Sequence, residues 1–288
     1  MTKASDIAII GGGIMGCAAA LQVKAGGMHP IVLDQGDLGQ GASGVNAGTL
    51  SLQIKRVKLM PYALRGHHEW EKMGAAVGFH KTGGYTLAFN EREADLLHER
   101  QTLKANAGAP ITFVSNNALR DAEPNLTQNV VSASYCPEDG YANSSLTGQF
   151  YRGRLRDAAI DYRERTAVTA IKDGYVLSTS GGPIRAKRVL LATGAWLKQT
   201  AALMGIDLPV QARINTVSVT ERMPALASTV IGHATGLLTM KQKPNGTVLI
   251  GGGWQGRGTP QTGRGEVASD TVRPNIALAQ YALPALAK

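Results

Sequence analysis

Cysteine is nearly absent from this sequence, with two residues among 288. Cys17 and Cys136 lie far apart, and neither has a second cysteine or a histidine at the spacing of a metal site. A disulfide framework and a zinc site are therefore excluded as organising features, and no metal ligand is predicted. Two isolated thiols fit a reducing compartment, so a cytoplasmic location is expected.

Long uncharged apolar runs are also rare. The clearest stretch of that kind, from Ile7 to Val23, contains four glycines, follows Asp6 directly and lacks a basic leader. It is therefore interpreted as a strand followed by a helix, and neither a signal peptide nor a transmembrane segment is predicted.

A clustered basic segment is the third missing feature. The net charge is +9, but the cations are scattered and do not alternate with aromatic residues, which make up only 5% of the chain. Such a charge attracts anionic ligands, yet the pattern of a nucleic acid interface is lacking, so no nucleic acid partner is expected. The sequence also shows no nucleophile motif and no acid and base pair, so no catalytic residue is identified.

The most informative stretch that is present is a strand, a glycine-rich turn and a helix at the start of the chain. Apolar residues from Ile7 lead into Gly11-x-Gly13-x-x-Gly16, and a second apolar run ends on Asp34. This is the context of a dinucleotide-binding βαβ unit, in which the glycines let the backbone approach a pyrophosphate and the acid accepts hydrogen bonds from a ribose. The start of the helix offers N–H groups to phosphate. The residues assigned to the nucleotide are Gly11, Gly13, Ile14, Met15, Gly16, Asp34 and Gln35.

A second glycine-rich segment, residues 41–49, follows the acid. One interpretation is a flexible loop. Because the segment directly follows the ribose-binding position and contains Ser43 and Asn46, whose side chains could hold phosphate or a heterocycle, we favour a second cofactor loop. The βαβ motif by itself indicates a dinucleotide without saying which one.

Together, the two segments resemble the flavin amine oxidoreductases of the D-amino-acid oxidase superfamily, which includes glycine oxidase and sarcosine oxidase. The sequence Ala192-Thr-Gly-Ala-Trp196 adds to the resemblance, and residues 247–258 look most like the β subunits of opine oxidase and hydrogen cyanide synthase. The resemblance implies FAD as cofactor, a second loop that holds FAD with its last residues beside the isoalloxazine, a strand contact to the adenine, and an Ala-Thr-Gly turn next to the cofactor. These roles fall on Ala42, Ser43, Asn46, Ala47, Gly48 and Thr49 in the loop, on Val168 in the strand, and on Thr193 and Gly194 in the turn.

The same resemblance implies an activity, namely oxidation of the C–N bond of an amino acid or secondary amine, such as an opine, glycine or sarcosine, by hydride transfer to flavin N5. Tyr85 and Tyr141 are candidate substrate contacts or, alternatively, packing residues. A hetero-oligomer with other oxidoreductase subunits is also implied. Two alternatives stay open: a truncated, catalytically impaired FAD-fold subunit that acts only through partner chains, and a NAD-dependent dehydrogenase, which would share the βαβ motif but would not require the second loop.

The predicted fold class is α/β, with a Rossmann-like FAD-binding domain and an inserted mixed, largely antiparallel α+β substrate domain, because the middle of the chain lacks the βαβ rhythm. The FAD-binding domain is assigned to residues 1–51 and 139–205, the substrate domain to residues 52–138 and 206–270, and a C-terminal helix, leading to a FAD-covering segment missing from the chain, to residues 271–288.

Local patterns predict individual elements within these domains. Asn90 is expected to cap a helix, Ser144 to cap another that runs to about Tyr162, and residues 211–221 to form a strand. The C-terminal helix, from about Arg273, is expected to expose an apolar face. The residues of that face are Ile276, Ala279, Gln280 and Leu283.

Overall fold

The computed structural model describes residues 5–260 and 264–287. The strands are β1 (Ile7–Ile10), β2 (Pro30–Leu33), β3 (Thr49–Leu50), β4 (His80–Lys81), β5 (Gly84–Ala88), β6 (Thr112–Val114), β7 (Ser132–Cys136), β8 (Gly140–Tyr141), β9 (Asp161–Arg163), β10 (Val168–Lys172), β11 (Val176–Thr179), β12 (Ile184–Arg185), β13 (Val189–Leu191), β14 (Ser218–Arg222), β15 (Val230–His233), β16 (Thr239–Gln242), β17 (Thr247–Gly251), β18 (Arg257–Thr259) and β19 (Arg264–Glu266). The α-helices are α1 (Ile14–Ala25), α2 (Met60–Met73), α3 (Glu91–Asn106), α4 (Asn116–Ala122), α5 (Thr147–Asp157), α6 (Leu197–Ala202) and α7 (Ser269–Ala282).

The chain divides into two compact units. The first unit comprises the described residues within 1–46, 144–213 and 259–263, and the second unit those within 47–143, 214–258 and 264–288. None of the helices in the described ranges combines the length and the apolar character that a membrane crossing requires.

The first unit is built on a parallel sheet with the strand order β13-β1-β2-β9. Ile9 in β1 pairs with Leu190 of β13 on one side and with Val32 of β2 on the other. Short, continuously apolar strands are typical of parallel sheets, because both faces of such a sheet are covered.

Alternate residues of β1 belong to two different apolar layers. Ile9 joins Leu155 of α5 and Cys17 of α1 in the core on the helical side. Ile10 joins Leu177 of β11 on the opposite side, where β10, β11 and β12 form a small antiparallel sheet. The parallel sheet is therefore covered by helices on one face and by a second sheet on the other.

The second unit is built on a seven-stranded sheet with the order β14-β17-β16-β15-β5-β7-β6. Its neighbouring strands are antiparallel except for β15 and β5, which run parallel. Ile231 and Met240 of this sheet share a core with Ala279 and Leu283 from the C-terminal region. A smaller antiparallel sheet, β3-β8-β4, belongs to the same unit.

This architecture confirms the predicted α/β fold class, with a helix-covered parallel sheet in one unit and a mixed, largely antiparallel sheet in the other. The units divide after residues 46, 143 and 213, whereas divisions were expected after 51, 138 and 205. The first two differ because β3 pairs with β8, so both strands belong to the second unit.

The prediction that Ser144 caps α5 is wrong. The helix begins at Thr147, and the hydroxyl of Ser144 donates instead to the carbonyl of Asn46 at 2.8 Å. The helix also ends at Asp157 rather than near Tyr162, because Tyr162 lies in β9 and pairs with β2. Pairing with a distant strand overrides a locally helical pattern at this point.

Two expectations near the C-terminal end are also wrong. The strand predicted over residues 211–221 is shorter and shifted, as β14 begins at Ser218. The apolar face of α7 is not exposed, because Ala279 and the following Leu283 are fully buried. Both residues pack against the seven-stranded sheet. This sheet covers the face that was expected to stay exposed without a further segment of chain.

Candidate functional site

A cavity of about 350 Å³ lies in the first unit, where β1, β2 and β13 end. This volume falls in the range of ligand pockets, roughly 300–1,000 Å³. Ligands of open α/β sheets bind outside the carboxyl ends of the parallel strands, which is where this cavity lies. Ten of the predicted cofactor residues line it: Gly11, Gly13, Met15, Asp34, Gln35, Ala42, Ser43, Val168, Thr193 and Gly194.

The tight turn after β1 depends on Gly11. Its φ is +109°, its N–H donates to the carbonyl of Leu33 at 2.7 Å, and an added Cβ would overlap the carbonyl oxygen of Ala192. Only glycine meets these conditions without a shift of the backbone. Gly16 does not line the cavity. An added Cβ there would overlap the carbonyl oxygen of Gly11, so its role is the close packing of helix against turn.

The beginning of α1 opens into the cavity. Gly13, the N-cap residue, has an ordinary extended backbone (φ −71°, ψ 178°) and no capping side chain of its own. The hydroxyl of Ser43 accepts the N–H of Ile14 at 3.0 Å, so the second loop partly caps the helix. Met15 is 73% exposed. A helix start of this kind presents N–H groups and a positive dipole end to an anion.

Asp34 organises the loops at the end of β2. Its Oδ2 accepts the N–H of Gly12 at 2.6 Å and its Oδ1 accepts the N–H of Gly36 at 2.8 Å. Each carboxylate oxygen has two acceptor sites, so capacity remains for a ligand hydroxyl. The carboxylate therefore both shapes the site and lines it.

A second acid, Asp37, stands at the same edge of the cavity. The Arg165 guanidinium donates to both of its carboxylate oxygens, at 2.8 and 3.3 Å. This hydrogen bonding holds the pKa of the Asp37 carboxyl below its usual value. The loop is fixed further by the N–H of Leu38, which donates to Glu164 at 2.6 Å.

The second glycine-rich loop is divided by the structure. The Asn46 amide donates to the carbonyls of Ala42 (2.8 Å) and Ser43 (3.1 Å), so this side chain holds the loop together. Ala47, Gly48 and Thr49 follow in the second unit and are not part of the cavity wall. The structure thus brings Ala42 and Ser43 to the cavity and places the last residues of the predicted loop elsewhere.

Thr193 and Gly194 follow β13 and line the cavity together with Val168 at the start of β10. The hydroxyl oxygen of Thr193 is buried and has no hydrogen-bond partner among the described residues. Buried polar atoms are nearly always paired, so an orphaned hydroxyl in a cavity wall indicates a place for a polar ligand atom.

Several lining residues carry no assignment from the sequence. Thr166 gives no local signal, and reaches the cavity because its N–H donates to the carbonyl of Asp34 at 2.6 Å. Most of the remaining residues adjoin segments already assigned and could have been found by extending them: Gly36, Asp37, Gly39, Gln40 and Gly41 after the acid, and Ala192, Ala195 and Trp196 at the end of β13.

The chain is similar in sequence to several known proteins. The B subunit of opine oxidase from Rhizobium meliloti is 29% identical over 268 residues, which cover 85% of this chain and 70% of that protein. Glycine oxidase of Geobacillus kaustophilus is 29% identical over 246 residues, which cover 80% of this chain and 65% of the relative. The chain therefore spans about two thirds of the length of these two relatives.

The fold also matches a solved structure. The crystal structure of glycine oxidase from Geobacillus kaustophilus superimposes with a TM-score of 0.86 at 26% sequence identity, covering 99% of this chain and 80% of that one. The FAD dependent oxidoreductase (DAO) family matches residues 6–288, and the chain is a member of that family.

Proposed function

We propose that this chain is a FAD-dependent oxidoreductase that oxidises the C–N bond of an amino acid or secondary amine. FAD is the cofactor of the family to which the chain belongs. The observation that carries the proposal is the cavity in the first unit, where a helix start, an acid with free acceptor capacity and the orphaned Thr193 hydroxyl meet. These groups fit a dinucleotide, which carries phosphates, ribose hydroxyls and polar ring atoms.

Individual residues take distinct roles in holding FAD under this proposal. The backbone at Gly13 and the first turn of α1 receive the pyrophosphate. Asp34 accepts hydrogen bonds from the adenosine ribose, and Val168 adjoins the adenine. Thr193 and Gly194 bind the cofactor beside the end of β13. Asn46 to Thr49 are proposed, on the basis of the resemblance alone, to contact the isoalloxazine, although the Asn46 amide itself is engaged within the loop.

The second unit is proposed to be the substrate domain. FAD, when bound, accepts a hydride from the α-carbon of the substrate. The protein then has to orient the amine and exclude water rather than provide a nucleophile. Because the cofactor would supply the redox chemistry, this reaction does not require an acid and base motif, and none was identified in the sequence.

Opines, glycine and sarcosine are the proposed substrate classes, because the relatives described above are one subunit of an opine oxidase and a glycine oxidase. Since the first of these relatives is named as one subunit of its enzyme, a second candidate is also supported, a FAD-fold subunit that works only together with partner chains of a hetero-oligomer. The two buried free thiols are compatible with the proposed cytoplasmic location.

An absorbance spectrum of the purified protein, followed by anaerobic substrate addition, tests the proposal. We expect flavin bands, and bleaching of these bands by at least one of octopine, nopaline, glycine and sarcosine. Flavin bands without bleaching by any of these substrates would favour the partner-dependent subunit. A protein that takes up no FAD from solution would contradict the proposed function.

Asp34→Ala provides the residue-level test of the nucleotide site. The variant would remove two proposed hydrogen bonds to a charged acceptor, each worth about 1.5–3 kcal/mol, so we expect FAD affinity to fall by a factor of several tens or more. Asp161→Ala, which removes an exposed acid of the same unit, is the matched control and should leave FAD affinity unchanged. An Asp34→Ala affinity within a factor of two of the parent would exclude the ribose assignment.

A further inference from the structure

A second cavity, of about 340 Å³, lies within the second unit. Its volume is in the range of ligand pockets, roughly 300–1,000 Å³. Much of its wall is apolar and consists of Met223, Ala225, Ala227 and Pro244. Every residue that lines it belongs to the second unit, so the cavity is complete without any group of the first unit.

The Gln242 side chain fixes the shape of this wall. Its Oε1 accepts the N–H of Leu226 at 2.6 Å, and its Nε2 donates to the carbonyls of Pro224 at 2.7 Å and Gly246 at 3.1 Å. The N–H of Met223 also donates to the carbonyl of Gly246, at 3.0 Å. These bonds tie the segment between β14 and β15 to the turn between β16 and β17, so the cavity is preformed and the Gln242 amide is engaged within its wall.

Two polar side chains of the wall, Lys243 and Tyr141, have no hydrogen-bond partner among the described residues. The Tyr141 ring stacks on that of His80 with centroids 4.9 Å apart, which leaves its hydroxyl unengaged. Burial raises the pKa of this hydroxyl, so it stays protonated and can donate. Aspartate and glutamate are absent from the lining within the described ranges. A cation and a hydroxyl donor in a wall without acids favour an anionic group of a ligand.

A further cation lies near Tyr141. Lys241 is only 1% exposed, and its Nζ donates to the hydroxyl of Thr49 at 2.7 Å and lies 5.8 Å from the centroid of the Tyr141 ring. Burial, and secondarily the charge of Lys243, lower the pKa of the Lys241 ammonium to about 7. The two ammonium groups therefore repel each other, and neither forms an ion pair with a described acid. An anion beside Lys243 would offset this repulsion.

We propose that this cavity binds the carboxylate of a small organic acid that carries no ammonium group, and that Lys243 and Tyr141 hold the carboxylate. The Lys243 ammonium pairs with one carboxylate oxygen and the Tyr141 hydroxyl donates to the carboxylate, while the apolar wall packs against the hydrocarbon part of the acid. An α-ammonium group would stand close to two lysines without an acid to balance its charge, so an amino acid is disfavoured.

The class of acid rests on the proposed function. Oxidation at the α-carbon of an amino acid or opine gives an imine, and addition of water to the imine releases the amine and a 2-oxo acid. The 2-oxo acid keeps the carboxylate of the substrate and has lost its nitrogen. The cavity is therefore assigned to a 2-oxo acid, the product class of the proposed reaction.

Three compounds of matched shape test the inference: 4-methyl-2-oxopentanoate, leucine and 4-methylpentan-2-one. Each is titrated into the full chain, with and without FAD, under anaerobic conditions that prevent turnover of leucine, and saturation-transfer NMR gives the dissociation constants. We expect the oxo acid to bind about tenfold or more tightly than the other two, because it alone carries a carboxylate without an ammonium group. Equal affinity for the oxo acid and the ketone would overturn the inference.

Two variants and two matched controls locate the site. Lys243→Met removes the ammonium and Tyr141→Phe removes only the hydroxyl, so each should weaken binding of the oxo acid by about tenfold. Both should keep the thermal midpoint of the parent, because neither group has a polar partner to lose. Lys58→Met and Tyr62→Phe change exposed residues of the same unit and should leave the affinity unchanged. If both variants bind the oxo acid as tightly as the parent, the carboxylate lies elsewhere and the inference is wrong.

The outcomes also separate this inference from the proposed function. If a substrate bleaches the flavin bands but the oxo acid binds no better than leucine, the inference is overturned and the proposed function stands. If the chain takes up no FAD but binds the oxo acid, with the loss expected in Lys243→Met and Tyr141→Phe, the proposed function fails. The carboxylate site then stands without its link to the product of the reaction.

Discussion

Gly11 and Gly13 lie two residues apart in one motif, yet a side chain introduced at one position would have different consequences from one introduced at the other. Gly11 has a positive φ and meets a backbone carbonyl, whereas Gly13 has an ordinary extended backbone and meets only the Ser43 hydroxyl, 3.0 Å from an added Cβ. The first glycine therefore serves the fold, and the second leaves space in the cavity wall that a ligand can occupy.

We accordingly predict opposite phenotypes for Gly13→Val and Gly11→Ala. Gly13→Val should fold with a thermal midpoint close to that of the parent apoprotein and retain no FAD, because the side chain would occupy the place where the pyrophosphate is proposed to approach. Gly11→Ala should unfold more easily, by about 1–3 kcal/mol, because the backbone is held in a region that side chains rarely adopt. Thermal unfolding of the apoproteins and flavin stoichiometry measure the two effects. Full flavin stoichiometry in Gly13→Val would refute the pyrophosphate assignment.

Among individual residues, the sequence could predict those whose position depends on spacing within one short segment. The glycines of the first turn and Asp34 are set by one strand, one turn and one helix, so their spacing is informative. The burial of Lys241 in β16 could not be predicted from the sequence. It results from the pairing of β16 with β15 and β17 and from contact with β3, and of these strands β3 is far away in the chain. The internal use of the Asn46 amide was also invisible to a motif that describes only ligand contacts.

Two side chains, one just before the first turn and one within it, stabilise the start of helix α3. The Asn90 side chain accepts the N–H of Glu93 at 2.9 Å, and the Glu93 carboxylate accepts the N–H of Phe89 at 2.9 Å. This reciprocal arrangement satisfies two backbone donors at the helix start. Glu93 also accepts the hydroxyl of Thr235 at 3.0 Å, which ties the helix to a loop of the same unit.

Asn90→Ala should therefore lower the free energy of unfolding of the second unit by about 1 kcal/mol, the usual effect of losing an N-cap. Chemical denaturation of the apoprotein measures the change. Asn129→Ala, at an exposed loop position, is the control and should stay within a few tenths of a kcal/mol of the parent. An unchanged midpoint for Asn90→Ala would show that tertiary packing alone holds this helix.

The secondary-structure predictions were confirmed where a short-range sequence pattern determines the element, and were wrong where pairing or packing with a distant segment determines it. The N-cap at Asn90 and the first strand, turn and helix are confirmed. β9 was hidden in an expected helix, because a three-residue strand is defined by the neighbour it pairs with and not by its own pattern. The burial of α7 likewise depends on the seven-stranded sheet, which assembles from strands far apart in the chain.

On the scale of the whole molecule, each unit has its own apolar core and one buried cysteine. Cys17 lies in α1 of the first unit, and Cys136 lies in β7 of the second. Burial raises the pKa of the Cys17 thiol to about 12 and raises the pKa of the Cys136 thiol as well. Only the thiolate reacts with disulfide reagents, so both thiols should be inert until the unit that contains them opens.

Thiol labelling can therefore report the opening of each unit separately, and FAD should change the two reports differently. FAD is proposed to bind the first unit in its folded form, which suppresses opening by a factor of 1 + [L]/Kd, or about a hundredfold at 100 times Kd. We predict that saturating FAD slows the labelling of Cys17, measured in Cys136→Ser, by this factor, and slows that of Cys136, measured in Cys17→Ser, far less. At the same FAD concentration, Asp34→Ala should remove most of the protection of Cys17, because the variant binds FAD more weakly while the thiol stays in place. Equal protection of both cysteines would mean that the two units unfold as one cooperative body, and protection of Cys136 alone would place the cofactor outside the cavity of the first unit.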